Sequence, residues 1–132
     1  CVEELGEGSI DGGISNHALE HVHAPLDELK LLHRLLKPGG RIHFVTPFDA
    51  IGQTWKDGDV NFHIYTWSPM NLGNLFREAG FDIERVAPIW HKWPPMAYKI
   101  ARLNWGLFNL TARVWARIDR RSSQVEVVAR KL

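Results

Sequence analysis

Residues 11–47 place the strongest constraint on how this chain can fold. A short apolar run with two glycines, residues 10–15, leads into a polar turn and then into a segment with leucine at every third or fourth position. Pro38-Gly39-Gly40 ends that segment, and a second apolar run, residues 41–46, follows. Short continuous apolar runs are typical of strands buried on both faces of a parallel sheet, and the leucine spacing is typical of a helix. The stretch therefore predicts a β-α-β unit.

The helix of this unit is predicted to begin near Pro25 and to end at Pro38-Gly39-Gly40. Asp27 and Glu28 in its first turn and Lys37 in its last turn complement the helix dipole. Its buried face consists of Leu26, Leu29, Leu32 and Leu36.

Further elements are predicted downstream. Ser68-Pro69 is a typical helix start and Gly80 a typical helix end. Residues 81–86 are predicted as a strand, 98–118 as a helical stretch broken near 104–106, and 124–129 as a final strand. Helices thus alternate with strands, which predicts an α/β layer architecture. The buried face of the helix after Ser68 consists of Leu72, Leu75, Phe76 and Ala79.

The bulk properties exclude few functions. A chain of 132 residues is expected to form one domain, and its net charge of +1 gives no reason to expect a nucleic-acid partner. Its single cysteine, Cys1, fits a reducing compartment. We see neither a signal peptide nor a bilayer-spanning apolar run, so the expected localisation is cytoplasmic. Because no initiating Met is present, we interpret the chain as part of a longer protein.

Two motifs suggest a family. Leu19-Glu20-His21 follows the first predicted strand, Leu36-Lys37-Pro38-Gly39-Gly40 ends the first helix, and Leu75–Phe81 gives a weaker match. These motifs resemble the C-terminal half of class I S-adenosylmethionine-dependent methyltransferases of the type 11/12 group. The resemblance implies a partial Rossmann-like methyltransferase fold, in which residues 1–132 supply strands 4, 5, 6 and 7 of a sheet ordered 3-2-1-4-5-7-6. Residues 88–121 would then be a helical insertion.

The resemblance also implies a cofactor, S-adenosyl-L-methionine. The residues that would face its methionine end are Ser15, Asn16, His17 and Leu19, and the alternative for this turn is a purely structural polar cap. The glycine-rich turn that cradles the cofactor in this family has no counterpart here and would lie upstream. The chain alone is therefore expected to bind the cofactor very weakly.

Two histidines are candidates for acid–base catalysis. His21 completes the Leu-Glu-His turn, and His63 belongs to a polar and aromatic loop after the second strand. Histidine accepts protons near neutral pH, so either residue suits a general base. The alternatives are that His21 only orders the turn and that His63 lies in a solvated loop. His17, His21 and His23 have a spacing compatible with metal binding, but no ligand set is complete, and no metal site is predicted.

Residues 96–121 are basic and amphipathic, with six Lys and Arg side chains against Asp119. Such a segment can lie on an anionic membrane surface, cover an acceptor pocket, form a dimer face or pack as an ordinary helix pair. No nucleic-acid-binding motif accompanies it.

The sequence supports two functional hypotheses. In the first, the chain is the C-terminal fragment of a methyltransferase that transfers a methyl group to a small-molecule acceptor, inactive in isolation. In the second, it is a non-catalytic half-domain that associates through the exposed sheet edge at Ile10–Ser15.

Overall fold

The computed structural model describes residues 5–49, 52, 54–119 and 122–132. A single 3-10 turn, Leu19–His21, follows the first strand. In chain order, the strands and α-helices are β1 Ile10–Asn16, α1 Pro25–Leu35, β2 Leu36–Asp49, α2 Pro69–Glu78, β3 Asp82–Ile89, α3 Ala97–Leu103, α4 Trp105–Ile118 and β4 Ser122–Arg130.

The four strands form one sheet in the order β1-β2-β4-β3. β1 runs parallel to β2, whereas β4 is antiparallel to both β2 and β3. This order is the one predicted for strands 4, 5, 7 and 6, so the expected partial Rossmann-like methyltransferase fold is confirmed.

Helices α1 and α2 contribute to a core on one face of this sheet. In each strand, every second side chain points into this core and the side chains between them point to the other face, because successive side chains of a strand face opposite sides. The predicted buried positions are confirmed, with Leu26, Leu32 and Leu75 partly buried and the other members buried, but Leu36 belongs to β2 and not to α1. The core consists mainly of Leu29, Leu36, Ile42, Phe44, Leu72, Phe76, Phe81, Val125, Val127 and Ala129.

The first helix ends two residues earlier than the predicted stop at Pro38 implies. α1 stops at Leu35, and β2 already includes Pro38, Gly39 and Gly40. Proline disfavours the helical conformation in the residue before it, here Lys37, and Gly39 has a left-handed φ of 79°. The Gly39 N–H donates to the Lys131 carbonyl at 2.8 Å, so this segment extends the sheet.

The prediction that the first strand is buried on both faces is also wrong for this chain. β1 pairs with β2 alone among the described strands, and Ile14 is 87% exposed. The opposite face of the sheet carries an ion-pair network, in which Glu126 lies 3.2 Å from His43 and 3.1 Å from Arg85. One edge of the sheet is therefore unpaired among the described strands, and the second face carries charged side chains.

Side-chain caps set the starts of two helices. The Ser68 hydroxyl accepts from the Asn71 N–H at 3.3 Å, as the sequence predicted for α2. Asn104 caps α4 through Leu107 and separates it from α3, which confirms the predicted break in the helical stretch. Among the described residues, none of the helices has the length and apolarity needed to cross a bilayer.

Replacing Gly12 with alanine should destabilise the sheet. A Cβ at this position would lie 2.7 Å from the Arg41 carbonyl oxygen across the β1–β2 pair, whereas a Cβ at Gly13 would make an ordinary 3.6 Å contact with Ile42. We expect Gly12→Ala to lower the free energy of unfolding by about 1–3 kcal/mol, and Gly13→Ala to change it much less. Urea unfolding of both variants tests this, and equal midpoints would contradict the observed approach of the two strands.

Stability should fall in mildly acidic solution because of His33. Burial of the ring, and secondarily the charge of Lys131, lower the pKa of His33 below its usual value, against a backbone hydrogen bond at Gly80 that raises it. The unfolded chain therefore binds a proton at His33 more readily, so this contribution to stability is present above about pH 6.5 and is lost as the pH falls below it. The free energy of unfolding should drop less between about pH 7.5 and about pH 5.5 in His33→Asn than in the parent chain. His23→Asn, at an exposed position, should keep the parent pH dependence.

Candidate active site

The carboxyl ends of β1 and β2 meet at one edge of the sheet. Because the strands are parallel, Ser15 and Asn16 lie beside Phe44 and Val45 of β2. His17 follows in a left-handed conformation with φ of 54°, and its N–H donates to the Val45 carbonyl at 2.9 Å. Ligands of open α/β sheets bind at this kind of edge, beyond the carboxyl ends of the strands.

An open cleft of about 540 Å³ lies beside this edge, on the face opposite α1 and α2. Ser15, Asn16 and Val45 contribute its strand side. Residues after β3, including Trp93, line it as well. The His17 ring accepts a hydrogen bond from the Gln124 amide at 3.0 Å, which joins the β1 turn to β4 at the same place.

The 3-10 turn after β1 is held by the loop that follows β2. The Glu20 carbonyl accepts hydrogen bonds from the N–H groups of Ile64 at 2.9 Å and Tyr65 at 3.1 Å. The Tyr65 hydroxyl donates to the His23 carbonyl at 3.2 Å. Two segments distant in sequence are thereby fixed side by side.

His21 and His63 come together across this contact. Their ring centroids lie 5.2 Å apart in an edge-to-face arrangement. Each ring has its own carboxylate neighbour, Glu20 at 3.7 Å from His21 Nε2 and Asp49 at 3.4 Å from His63 Nδ1. Of the two contacts, the one between Asp49 and His63 is within hydrogen-bond range, and a carboxylate in this position holds the ring in one orientation, as it does for general bases.

Glu20 has an unusual environment. Its side chain is 0% exposed, and neither carboxylate oxygen has a hydrogen-bond partner among the described residues. Buried carboxylates are normally paired, hydrogen-bonded or bound to a cation, because removing their charge from water is costly. The orphaned oxygens lie beside the two histidine rings.

A family model described as a methyltransferase domain matches residues 6–86, which is more than half of the chain. The chain belongs to this methyltransferase domain family. The matched part contains the β-α-β unit, α2 and both candidate histidines. Helices α3 and α4 and strand β4 follow it.

Solved structures with the methyltransferase fold are similar to the chain. One is 1,6-didemethyltoxoflavin-N1-methyltransferase of Burkholderia thailandensis with 1,6-didemethyltoxoflavin and S-adenosylhomocysteine, at 24% identity and a TM-score of 0.61, covering 98% of this chain and 48% of that one. Another is phosphoethanolamine N-methyltransferase 2 of Haemonchus contortus with phosphomonomethylethanolamine and S-adenosylhomocysteine, at 15% identity and a TM-score of 0.64. The match covers 96% of this chain and 35% of that one. A third is the (4+2) cyclase SpnF, at 16% identity and a TM-score of 0.61, covering 96% and 52%.

The family match and these folds confirm the resemblance to class I S-adenosylmethionine-dependent methyltransferases, and with it the cofactor of the family. At such identities the likeness to each individual structure shows the fold alone. This chain spans about a third to a half of the length of those neighbours. A comparison by sequence with curated proteins finds no significant match.

The residues predicted to bind cofactor fall into different environments. Ser15 and Asn16 line the cleft, and His17 lies at the same sheet edge, bonded to Gln124. Leu19 is 3% exposed and packs in the core, so only its backbone is available to a ligand.

The sequence interpretation did not identify Glu20 and Asp49 as partners of the two histidines. The Leu-Glu-His motif contains Glu20, but its burial arises from a fold that brings residues 63–65 against the turn. Asp49 was visible as one of several loop carboxylates, with no local signal to single it out.

Proposed function

We propose that this chain is the C-terminal part of a methyltransferase that acts on a small molecule, and that it supplies the acceptor side of the active site. The observation that carries the proposal is the convergence of His21 and His63, each beside a carboxylate, at the ligand-binding edge of a methyltransferase fold. The neighbours with bound small molecules support a small-molecule acceptor as the substrate class.

Cofactor contact is assigned to Ser15, Asn16 and the backbone of residues 17–19. The cleft that Ser15 and Asn16 line is open and has volume for a ligand, which fits a site that a further wall would complete. S-adenosylmethionine, when bound, supplies an activated methyl group. The opposite wall, with the glycine-rich turn, belongs to the preceding part of the domain in our proposal.

His21 and His63 are assigned to the acceptor. One of them would accept the proton that an acceptor hydroxyl or amine releases, and the neighbouring carboxylate would stabilise the resulting imidazolium. His63 is more shielded, with 18% of its side chain exposed against 45% for His21. This shielding makes His63 the better candidate for a base that works away from bulk water.

The alternative is a non-catalytic half-domain that associates through β1. The exposed Ile14 and the outer edge of β1, which pairs with none of the other described strands, favour it, because such an edge is a template for strand addition. The similarity to a cyclase shows that this fold also hosts other chemistry. Light scattering of the isolated chain distinguishes the two, since edge pairing would give a discrete dimer.

Cofactor affinity tests the first proposal. We expect calorimetry with S-adenosylhomocysteine to give a Kd weaker than about 100 µM for this chain, and a much tighter one for a form extended upstream by a full glycine-rich half. In the extended form, Asn16→Ala should weaken binding by roughly tenfold or more, while Asn74→Ala on exposed α2 should not. Equal affinities of the two forms would reject the proposal that the upstream part of the domain supplies the second wall of the cofactor site.

The α3–α4 pair is proposed to contact an anionic membrane surface. α3 has no buried residue, and α4 buries Phe108, Ala112 and Ala116. The other side of α4 exposes a row of apolar side chains, namely Leu107, Leu110, Val114 and Ile118. Arg113 and Arg117 flank this row, and the combination of apolar and basic side chains suits a membrane with acidic lipid headgroups. Arg120 and Arg121 lie outside the described residues.

Vesicle sedimentation tests this contact. We expect the chain to bind vesicles that contain phosphatidylserine and not pure phosphatidylcholine vesicles, with binding lost at high salt. The double variant Leu110→Asp, Val114→Asp should lose most of the binding. Val60→Asp, in an exposed loop position, should retain it. Retention by the double variant would reject the membrane assignment.

A further inference from the structure

The strongest unexplained feature is the buried carboxylate of Glu20. Both oxygens lack hydrogen-bond partners among the described residues, and the side chain is 0% exposed. The His21 Nε2 atom at 3.7 Å is too far for a hydrogen bond. A buried ionised carboxylate is costly unless hydrogen-bond donors or a cation compensate it, and a bound cation would do so here.

Three side chains converge on this point. Ligand atoms of Glu20, His21 and His63 all lie within 4.8 Å of one another. Zinc binds histidine nitrogen and carboxylate oxygen at about 2.0–2.2 Å, so a tetrahedral site holds its ligand atoms about 3.5 Å apart. The 3.7 Å between Glu20 and His21 already matches that spacing. Small side-chain rotations would bring the third ligand into range.

The surrounding structure keeps these ligands in place. The Glu20 carbonyl accepts from Ile64 and Tyr65, directly after His63, so the turn and the loop cannot separate without breaking both bonds. Asp49 lies 3.4 Å from His63 Nδ1. Metal-bound histidines commonly have such a carboxylate partner, which fixes the ring and raises the basicity of the nitrogen that binds the metal.

We propose that Glu20, His21 and His63 bind a divalent transition-metal ion. Two imidazoles and one carboxylate suit zinc and its first-row neighbours better than magnesium or calcium, which prefer oxygen ligands. Three protein ligands leave one position open. His21 has 45% of its side chain exposed, so the cluster is accessible from solvent.

The open position suggests a role. An ion there would take an oxygen of the methyl acceptor and promote loss of its proton to water. With the ion bound, this effect would replace the general-base role assigned to the histidines above, because their ring nitrogens would then be ligands. This role rests on the proposed function, whereas the binding of the ion does not. Titration with metal alone therefore separates the two, because it uses neither cofactor nor acceptor.

The test is titration of metal-free chain with Zn²⁺ against a chromophoric chelator, with Co²⁺ absorption as the report of coordination geometry. We expect one ion per chain with a Kd in the micromolar range or tighter, and Co²⁺ bands typical of four or five ligands. His63→Gln and Glu20→Gln should each weaken binding by more than about a hundredfold, and Asp49→Asn by about ten- to a hundredfold.

The matched control is His43→Gln. His43 is also a histidine beside a carboxylate, 3.2 Å from Glu126, but it lies on the sheet face opposite the core and is not a member of the cluster, so the variant should keep parent affinity. Circular dichroism checks that each variant is folded. If Glu20→Gln is not folded, His21→Gln, at an exposed side chain, decides in its place. Parent binding weaker than about 100 µM, or equal losses in His43→Gln and the cluster variants, would overturn the proposal.

Discussion

The parallel pairing of β1 with β2 is the constraint on which the rest of the structure depends. It brings the carboxyl ends of both strands to one edge, so the turn after β1 and the loop after β2 start side by side. α1 crosses between the strands and covers the same face as α2. A crossover of this kind buries the leucine-rich side of the helix against the sheet, and it leaves the loops free at the edge. Core stability and site geometry therefore have one origin.

A backbone contact brings the candidate site residues together at this edge. The Glu20 carbonyl accepts two hydrogen bonds from the loop after β2, and these bonds place His63 next to His21. At this contact the Glu20 carboxylate is buried and has no hydrogen-bond partner among the described residues. Such a cost is tolerated at functional sites when the surrounding structure enforces it. The chemistry of the candidate site is thus a consequence of how the loop is anchored.

The sequence predicted the elements better than their limits. Leucine spacing located α1, and Ser68-Pro69 located the start of α2, because both signals arise from contacts within a few residues. The helix end at Pro38-Gly39-Gly40 was misplaced, because those residues pair with Lys131 near the far end of the chain. The burial of β1 was overestimated, because burial depends on neighbours that strand composition does not reveal.

The sequence by itself determined the α/β class, the β-α-β unit and the family, since periodicity and the motifs around Leu19-Glu20-His21 are local properties. It also supplied His21 and His63 as separate candidates. Only the tertiary structure decided that they meet, that Glu20 is buried beside them and that Asp49 faces His63. Those relations depend on strand order and loop docking. Both are fixed by contacts between residues far apart in the chain, which no local pattern records.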